Sequence, residues 1–427
     1  MPTSKSESII IVGAGVFGLS TALELKQRGY SDITVLDRYT PPAVDGSSVD
    51  ISRIIRIDYA DPLYCKMAAE AYQGWKTEYA DHYYESGFAL LSEDANNDWI
   101  AKSAATVKAN GGTVEDLPDA TQLLKSYPNI QSNLSGLNGY LNRRGGWADA
   151  AGSIQKLASR CSVEGISIIT GPRGTVLSLL QEGSRVVGVN VLSGGTIRAS
   201  QVILSTGAWT NRLLNVAHAA SSSGQPVGFI QLTQEEARAL ENTPVMINMS
   251  TGIFCFPPTP GSNILKLARH GYGYANETTT SNDGNRTISS PKLQSSNAQT
   301  GYIPDDADDG LRDGLRRFFP KFANRPWSNR RLCWYTDTPK GDFIIDDHPS
   351  LKGLFVATGG AGHGFKFLPV LGNYIADCFE GKASKDLREK WRLLPSPGDS
   401  KEYNMAGDGS RAGPPLRKLS DLEKSKL

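Results

Sequence analysis

The 427-residue sequence has no apolar run long enough to cross a bilayer, which argues against a membrane-spanning helix. It also lacks an excess of either charge. With 45 basic and 44 acidic residues the net charge is +1, so no bulk field draws in nucleic acid or an anionic membrane. Cysteine is sparse. Cys65, Cys161, Cys255, Cys333 and Cys378 are widely spaced and odd in number, which predicts reduced thiols in an intracellular compartment rather than a disulfide framework. The Asn-x-Ser/Thr sequons at Asn133, Asn248, Asn276 and Asn285 are then read as chance matches. There is no heptad pattern and no internal repeat, so a monomer is expected.

What is present suits a protein with a substantial core: 39% of residues are hydrophobic and 21% charged, over a length that predicts two domains. The first clear feature is a βαβ unit. Ser8 to Val12 reads as a strand, and it follows an acidic residue and precedes a glycine turn, unlike a secretion signal. The turn is Gly13-Ala14-Gly15-Val16-Phe17-Gly18. Phe17 to Gln27 carries apolar residues at helical spacing before Gly29 stops it, and Ile33 to Leu36 is a second strand ending at Asp37 and Arg38. An acidic residue about twenty positions beyond the glycines suits pyrophosphate at the helix N-terminus and ribose on the carboxylate. A nicotinamide-linked dehydrogenase would use the same turn, so the dinucleotide itself stays open here.

Asp149 to Cys161 predicts a helix and Ile166 to Thr170 a strand. Arg185 to Leu192 and Thr196 to Thr206 predict a hairpin or meander ending at Gly207-Ala208-Trp209-Thr210. Leu354 to Thr358 predicts a buried strand running into Gly359, Gly360, Gly362 and Gly364, with a helix from about Leu368 to Glu380. Ile253 to Phe256 and Ile264 to Leu267 read as strands paired over a turn through Pro257 to Ser262, and Asp305 to Phe319 as an amphipathic helix. The polar stretch Thr278 to Gln299 predicts a mobile surface excursion. The nucleotide-binding domain is expected from residues 1–85, 145–220 and 325–390, and a second, mainly β domain from 86–144 and 221–324. Residues 391–427 are expected to form a polar tail.

Six matches in order carry a family resemblance: the N-terminal turn, Ser52-Arg53-Ile54-Ile55-Arg56, Gly207-Ala208-Trp209-Thr210, Leu265-Lys266-Leu267 with His270, Cys333-Trp334-Tyr335-Thr336, and Gly362-His363-Gly364-Phe365-Lys366-Phe367. The chain resembles the sarcosine oxidase and fructosyl amino acid oxidase (amadoriase) family over nearly its whole length outside the tail. The resemblance implies an α/β fold: a doubly wound, glutathione-reductase-like FAD-binding domain with a mainly antiparallel β substrate domain. It implies FAD bonded through its 8α-methyl carbon to the sulfur of Cys333, and hydride transfer to flavin N5 with dioxygen reduced to hydrogen peroxide. No metal is implied.

The same resemblance implies roles for single residues. FAD is expected to meet Gly13, Gly15, Val16, Phe17, Gly18, Asp37, Arg38, Ser52, Arg53, Val176, Cys333, Gly362, Gly364, Phe365 and Lys366. Lys266, His270, Tyr335 and Arg53 are expected at the reacting centre. A fixed cation at Lys266 in a low-dielectric pocket lowers the energy of superoxide as oxygen is reduced. Arg56 and Lys366 match cations that grip a substrate carboxylate, for which an arginine offers a two-pronged donor set. If Ser52 to Ile57 is extended, Arg53 and Arg56 face opposite sides; if it is helical, they share one. His363, between two glycines, is expected to be fixed by backbone contacts.

The run Leu267-Ala268-Arg269-His270-Gly271-Tyr272 departs from the acidic Glu-His-Pro-like run of fructosyl amino acid oxidases. A cation at Arg269 suits a second carboxylate better than a polyol, and with Val49 to Arg53 this stretch most resembles fungal saccharopine and pipecolate oxidases. A saccharopine- or pipecolate-like secondary amine is therefore the expected substrate, with fructosyl or N-methyl amino acids as the alternative. The terminal Ser425-Lys426-Leu427 matches a receptor-read peroxisomal address, and the polar residues from about Ser396 to Lys424 predict that it is accessible.

Overall fold

Four consecutive β-branched residues, Ile9–Val12, form a strand buried on both faces, as a central parallel strand should be. The computed structural model describes residues 4–280, 285–293, 300–395, 405 and 407–427. In it this strand lies inside a six-stranded sheet, in the order Ile344–Asp347, Leu354–Thr358, Gln201–Leu204, Ile9–Val12, Ile33–Leu36, Ser167–Ile169. All neighbours are parallel except the edge strand Ile344–Asp347. Strand alternation then sorts the side chains. Ile9 and Ile11 join the helices Val16–Gln27, Ala150–Val163 and Leu368–Phe379 in one core, while Ile10 and Val12 join the meander Val176–Glu182, Arg185–Val191, Thr196–Arg198 in another. Each such Ile or Leu contributes about 1.5–3 kcal/mol by leaving water.

The second domain is a ten-stranded sheet. The long strand Ser221–Gln231 is its axis, antiparallel to both Ile264–Arg269 and Asn329–Asp337. The helix Asp305–Phe318 covers one face with Leu311, Leu315 and Phe318, which pack against Leu265 and Leu267. The two layers are thus an α/β nucleotide domain and a mainly antiparallel β domain, as expected from the resemblance.

Four local expectations differ from the structure. Asn329–Asp337 pairs with the second sheet, so the strand that carries Cys333 comes from the substrate side rather than from the nucleotide domain. Thr196–Arg198 closes the meander, but Gln201–Leu204 leaves it to pair in parallel with Ile9–Val12, the strand being interrupted by a bend at Ala199-Ser200. Glu277–Thr280 and Arg286–Ser289 form a hairpin whose extension is held against the nucleotide domain: Arg212 Nε donates to Ser290 Oγ at 2.8 Å and Trp209 Nε1 to the Lys292 carbonyl at 3.2 Å. The expected excursion also covers residues 281–284 and 294–299, which lie outside the described residues.

The C-terminal segment is the fourth difference. Residues 396–404 and 406 lie outside the described residues, but 407–427 are folded. Arg417–Lys418 pairs with Tyr274–Ala275, and the helix Asp421–Lys426 starts at a Ser420 capping box. Leu419 and Leu427 are 3% and 4% exposed in the substrate-domain core. These two leucines, the strand Arg417–Lys418 and the Arg411–Asp337 ion pair dock the stretch, so the terminal leucine is not freely accessible in this conformation.

Candidate active site

The cofactor end is set by the βαβ turn. Gly13 has φ +108°, and a Cβ on Gly18 would strike the Gly13 carbonyl, so the turn requires glycine at both positions. The helix from Val16 starts at Gly15; its Val16 N–H is taken by Ser48 Oγ at 3.0 Å, and the remaining first-turn amides face the position of an anion. Asp37, at the end of the second strand, accepts from the Ala14 N–H at 2.7 Å and the Tyr39 N–H at 3.2 Å. Burial pushes its carboxyl up, while these bonds oppose the shift. Arg38 pairs with Asp45 at 2.8 Å and stacks 4.7 Å from the Trp209 ring.

A cleft of about 760 Å³ runs from this turn past Val176 to Cys333, Tyr335 and the Gly362–Phe365 loop. Asp45 Oδ1 and Ser205 Oγ, on its wall, are buried without a hydrogen-bond partner. A polar nucleotide fits such a wall and an apolar ligand does not. A second cavity of about 100 Å³ shares Arg53, Cys333, Tyr335, Gly362, His363 and Phe365 with the first. Those residues mark the junction where a ring held in the long cleft meets a small molecule.

At that junction Cys333 is 8% exposed and its Sγ lies 3.4 Å from Arg53 Nη2. Arg53 begins a short strand, Arg53–Ile55, that ends before Arg56, and both arginines line the small cavity. Arg53 turns to Asp50 and to the Ser47 carbonyl at 2.8 Å. Asp50 is a hub. It also takes Lys266 Nζ and Arg331 Nη2, each at 2.8 Å, and Lys266 reaches the Ser52 carbonyl at 2.7 Å. Burial opposes ionisation of Asp50, but Lys266, Arg331 and Arg53 together hold its carboxyl below the ordinary range. Three cations share one anion, and burial lowers Lys266, the least basic of them, to about 7. Ser52 Oγ is buried beside this hub with no partner.

The smaller cavity has cationic walls. Arg56 lies 4.5 Å from the Tyr59 ring and 5.4 Å from Trp99, and its Nη1 is buried without a hydrogen bond. Lys366 is 6% exposed and among the described residues donates only to the His363 carbonyl, at 3.0 Å. Burial and the nearby Arg56 push its ammonium well below the ordinary range. Neither cation makes a salt bridge among the described residues, which leaves both open to a substrate carboxylate. His270 is bracketed by Tyr335 Oη at 3.2 Å and Ser410 Oγ at 3.0 Å, and burial followed by Arg411 keeps it neutral. His363 is fixed as expected, with Nε2 on the Gly341 carbonyl at 2.7 Å and Nδ1 near Tyr59 Oη at 3.0 Å.

Arg269 departs from its expected place. Lys266, Ala268 and His270 alternate toward the cavity, so Arg269 turns the other way, and its guanidinium lies where a Cβ on Gly310 would be. It skirts the wall but is not aimed between Arg56 and Lys366. Residues that sequence reasoning left out are Asp50, Arg331, Asp408, Ser410 and Arg411. Arg331 had a signal, because it shares a strand face with Cys333 and Tyr335 at a spacing of two.

The family model described as FAD dependent oxidoreductase matches residues 8–378. The chain is 32% identical to an L-saccharopine oxidase of Schizosaccharomyces pombe over 91% of this chain and 93% of that one. It is 30% identical to an amino acid oxidase of Aspergillus flavus, covering 93% and 98%. A peroxisomal sarcosine oxidase of Mus musculus is more distant, at 27% over 86% and 90%. The crystal structure of the deglycating enzyme fructosamine oxidase (Amadoriase II) from Aspergillus fumigatus, in complex with FSA, superposes with a TM-score of 0.87 at 29% identity, covering 98% and 97%. With the glycine turn, the long cleft and a family match over most of its length, the chain belongs to the FAD-dependent oxidoreductases.

Proposed function

We propose that the protein oxidises a secondary-amine amino acid of the saccharopine or pipecolate kind at its carbon–nitrogen bond, with FAD tethered to Cys333. The observation that carries this reading is the pair Arg56 and Lys366, desolvated, in no salt bridge among the described residues and opening onto the cavity that meets the long cleft at Cys333. FAD, held along the cleft from the glycine turn to Cys333, would supply the acceptor for a hydride from the substrate carbon, with dioxygen as the final acceptor, released as hydrogen peroxide. Arg56 and Lys366 seat the substrate carboxylate and thereby fix the carbon that reacts. His270, kept neutral, does not repel the substrate amine, whose lone pair must be free for oxidation. Lys266 keeps a positive centre beside the ring position, where oxygen gains negative charge.

Peroxide release from purified protein offered saccharopine, pipecolate, sarcosine and a fructosyl amino acid tests the reading. It predicts the highest kcat/KM for saccharopine or pipecolate; no peroxide from any of the four contradicts it. The peroxisomal address at Ser425-Lys426-Leu427 fits a peroxide-forming enzyme and is retained as part of the proposal. Since Leu427 is buried, the import receptor must capture it when the helix Asp421–Lys426 is released. Imaging of the chain with a fluorescent protein at its N-terminus, beside a catalase marker, checks this.

A further inference from the structure

The small cavity carries a surplus of positive charge. Arg56 and Lys366 face it with no salt bridge among the described residues, and Lys266 and Arg53 share their anion, Asp50, with Arg331. Among the described residues one other carboxylate lines it: Asp408. Asp408 forms no ion pair there, although Lys366 and two histidines are close enough to act on it electrostatically. Burial opposes its ionisation, but bonds from Ser410 and the nearby His363 hold its carboxyl below the ordinary range.

The carboxylate is also held in place. Asp408 Oδ1 accepts from the Ser410 N–H at 3.1 Å and from the Ser410 hydroxyl, and Ser410 Oγ sits 3.0 Å from His270 Nε2. The next residue, Arg411, is buried and paired with Asp337 on the strand of Cys333 and Tyr335. Further on, Arg417–Lys418 joins the substrate sheet beside Tyr274–Ala275. A segment distant in sequence is thereby fastened at three points and presents one fixed anion to a cationic chamber. Such an arrangement is built to receive a positive group.

We propose that Asp408 is a specificity residue that takes a primary ammonium on the same substrate whose carboxylate sits on Arg56 and Lys366. The inference rests on the secondary-amine reading above and narrows it. Saccharopine, a lysine joined through its side-chain nitrogen to a dicarboxylic acid, has a primary ammonium apart from the amine that reacts. Pipecolate has none. A substrate without the ammonium leaves Asp408 desolvated and unmatched, which is how a polar site rejects an analogue.

The test compares saccharopine with its derivative acetylated at the primary amine, on wild-type holoenzyme, Asp408→Asn and Asp408→Glu. Peroxide release gives kcat and KM, and the rise in melting midpoint on adding each compound gives binding without turnover. The expected wild-type preference for the free ammonium is about 30-fold in kcat/KM, the worth of one charge-assisted hydrogen bond, and it resides mainly in KM. Asp408→Asn brings the two compounds to within about 3-fold of each other. Asp408→Glu, which keeps the charge, retains a preference. Equal use of both compounds by the wild type overturns the proposal while the secondary-amine reading stands. Equal weakening of both in Asp408→Asn does the same. If neither compound shifts the melting midpoint or yields peroxide, the Asp408 proposal is overturned, and turnover of pipecolate decides whether the secondary-amine reading stands.

Discussion

Lys266 Nζ lies 2.8 Å from Asp50 Oδ2, and both side chains are buried, at 2% and 1% exposure. Arg53 and Arg331 bind the same carboxylate, so the cluster has one anion for three cations. A net positive centre buried beneath the expected ring position favours any step in which negative charge develops there, because low-dielectric surroundings do not screen it.

Replacing Lys266 with Met is expected to slow reoxidation by dioxygen about 100-fold, the usual loss when one charge-stabilising group is removed, and to leave anaerobic reduction by substrate much less affected. Stopped-flow measurement of the two half-reactions separates them. The pH dependence has a definite sign. Burial lowers Lys266 to about 7, so its proton is lost as pH rises through that value, and the oxygen reaction should weaken on the alkaline side. Removing Asp50 takes away the one anion that raises the Lys266 pKa, so Asp50→Asn should move this limb to lower pH.

Arg56 should govern substrate capture rather than turnover. Its guanidinium is held among Tyr59, Phe88 and Trp99 with one nitrogen unpaired. Arg56→Ala is expected to raise KM about 100-fold with a smaller change in kcat, since the lost contact serves the ground and transition states alike. Arg56→Lys should recover only part of this, because an ammonium lacks the two-pronged geometry.

The buried ion pair Arg411–Asp337 fastens the segment that carries Asp408 and Ser410. Arg411→Ala leaves Asp337 without its cationic partner and is expected to cost about 3–5 kcal/mol in denaturant unfolding. The same variant should raise KM, because the chamber wall loses its anchor. A loss below about 1 kcal/mol would place the pair among the weak surface bridges.

The features legible in the sequence are those set by local spacing. The βαβ unit follows from a period of 2 or 3.6 and from glycine geometry, whereas Cys333, Tyr335, Lys266 and His270 were legible only through the family resemblance. Arg269 shows what proximity alone misses. It is three residues from Lys266, an odd step in a strand, and so falls on the opposite face. Asp50, Arg331 and Asp408 are functional only through contacts between distant segments, for which no local pattern exists. The folded C-terminus was obscured for a related reason: its docking depends on Arg411, Leu419 and Leu427 finding partners made by other strands.

The central claim, a flavin tethered by Cys333 at the junction of the two cavities, is tested most directly by acid precipitation of purified protein followed by a visible spectrum. The account predicts a yellow pellet from the wild type and a colourless one from Cys333→Ala. A colourless wild-type pellet, or a yellow pellet from the variant, would contradict it.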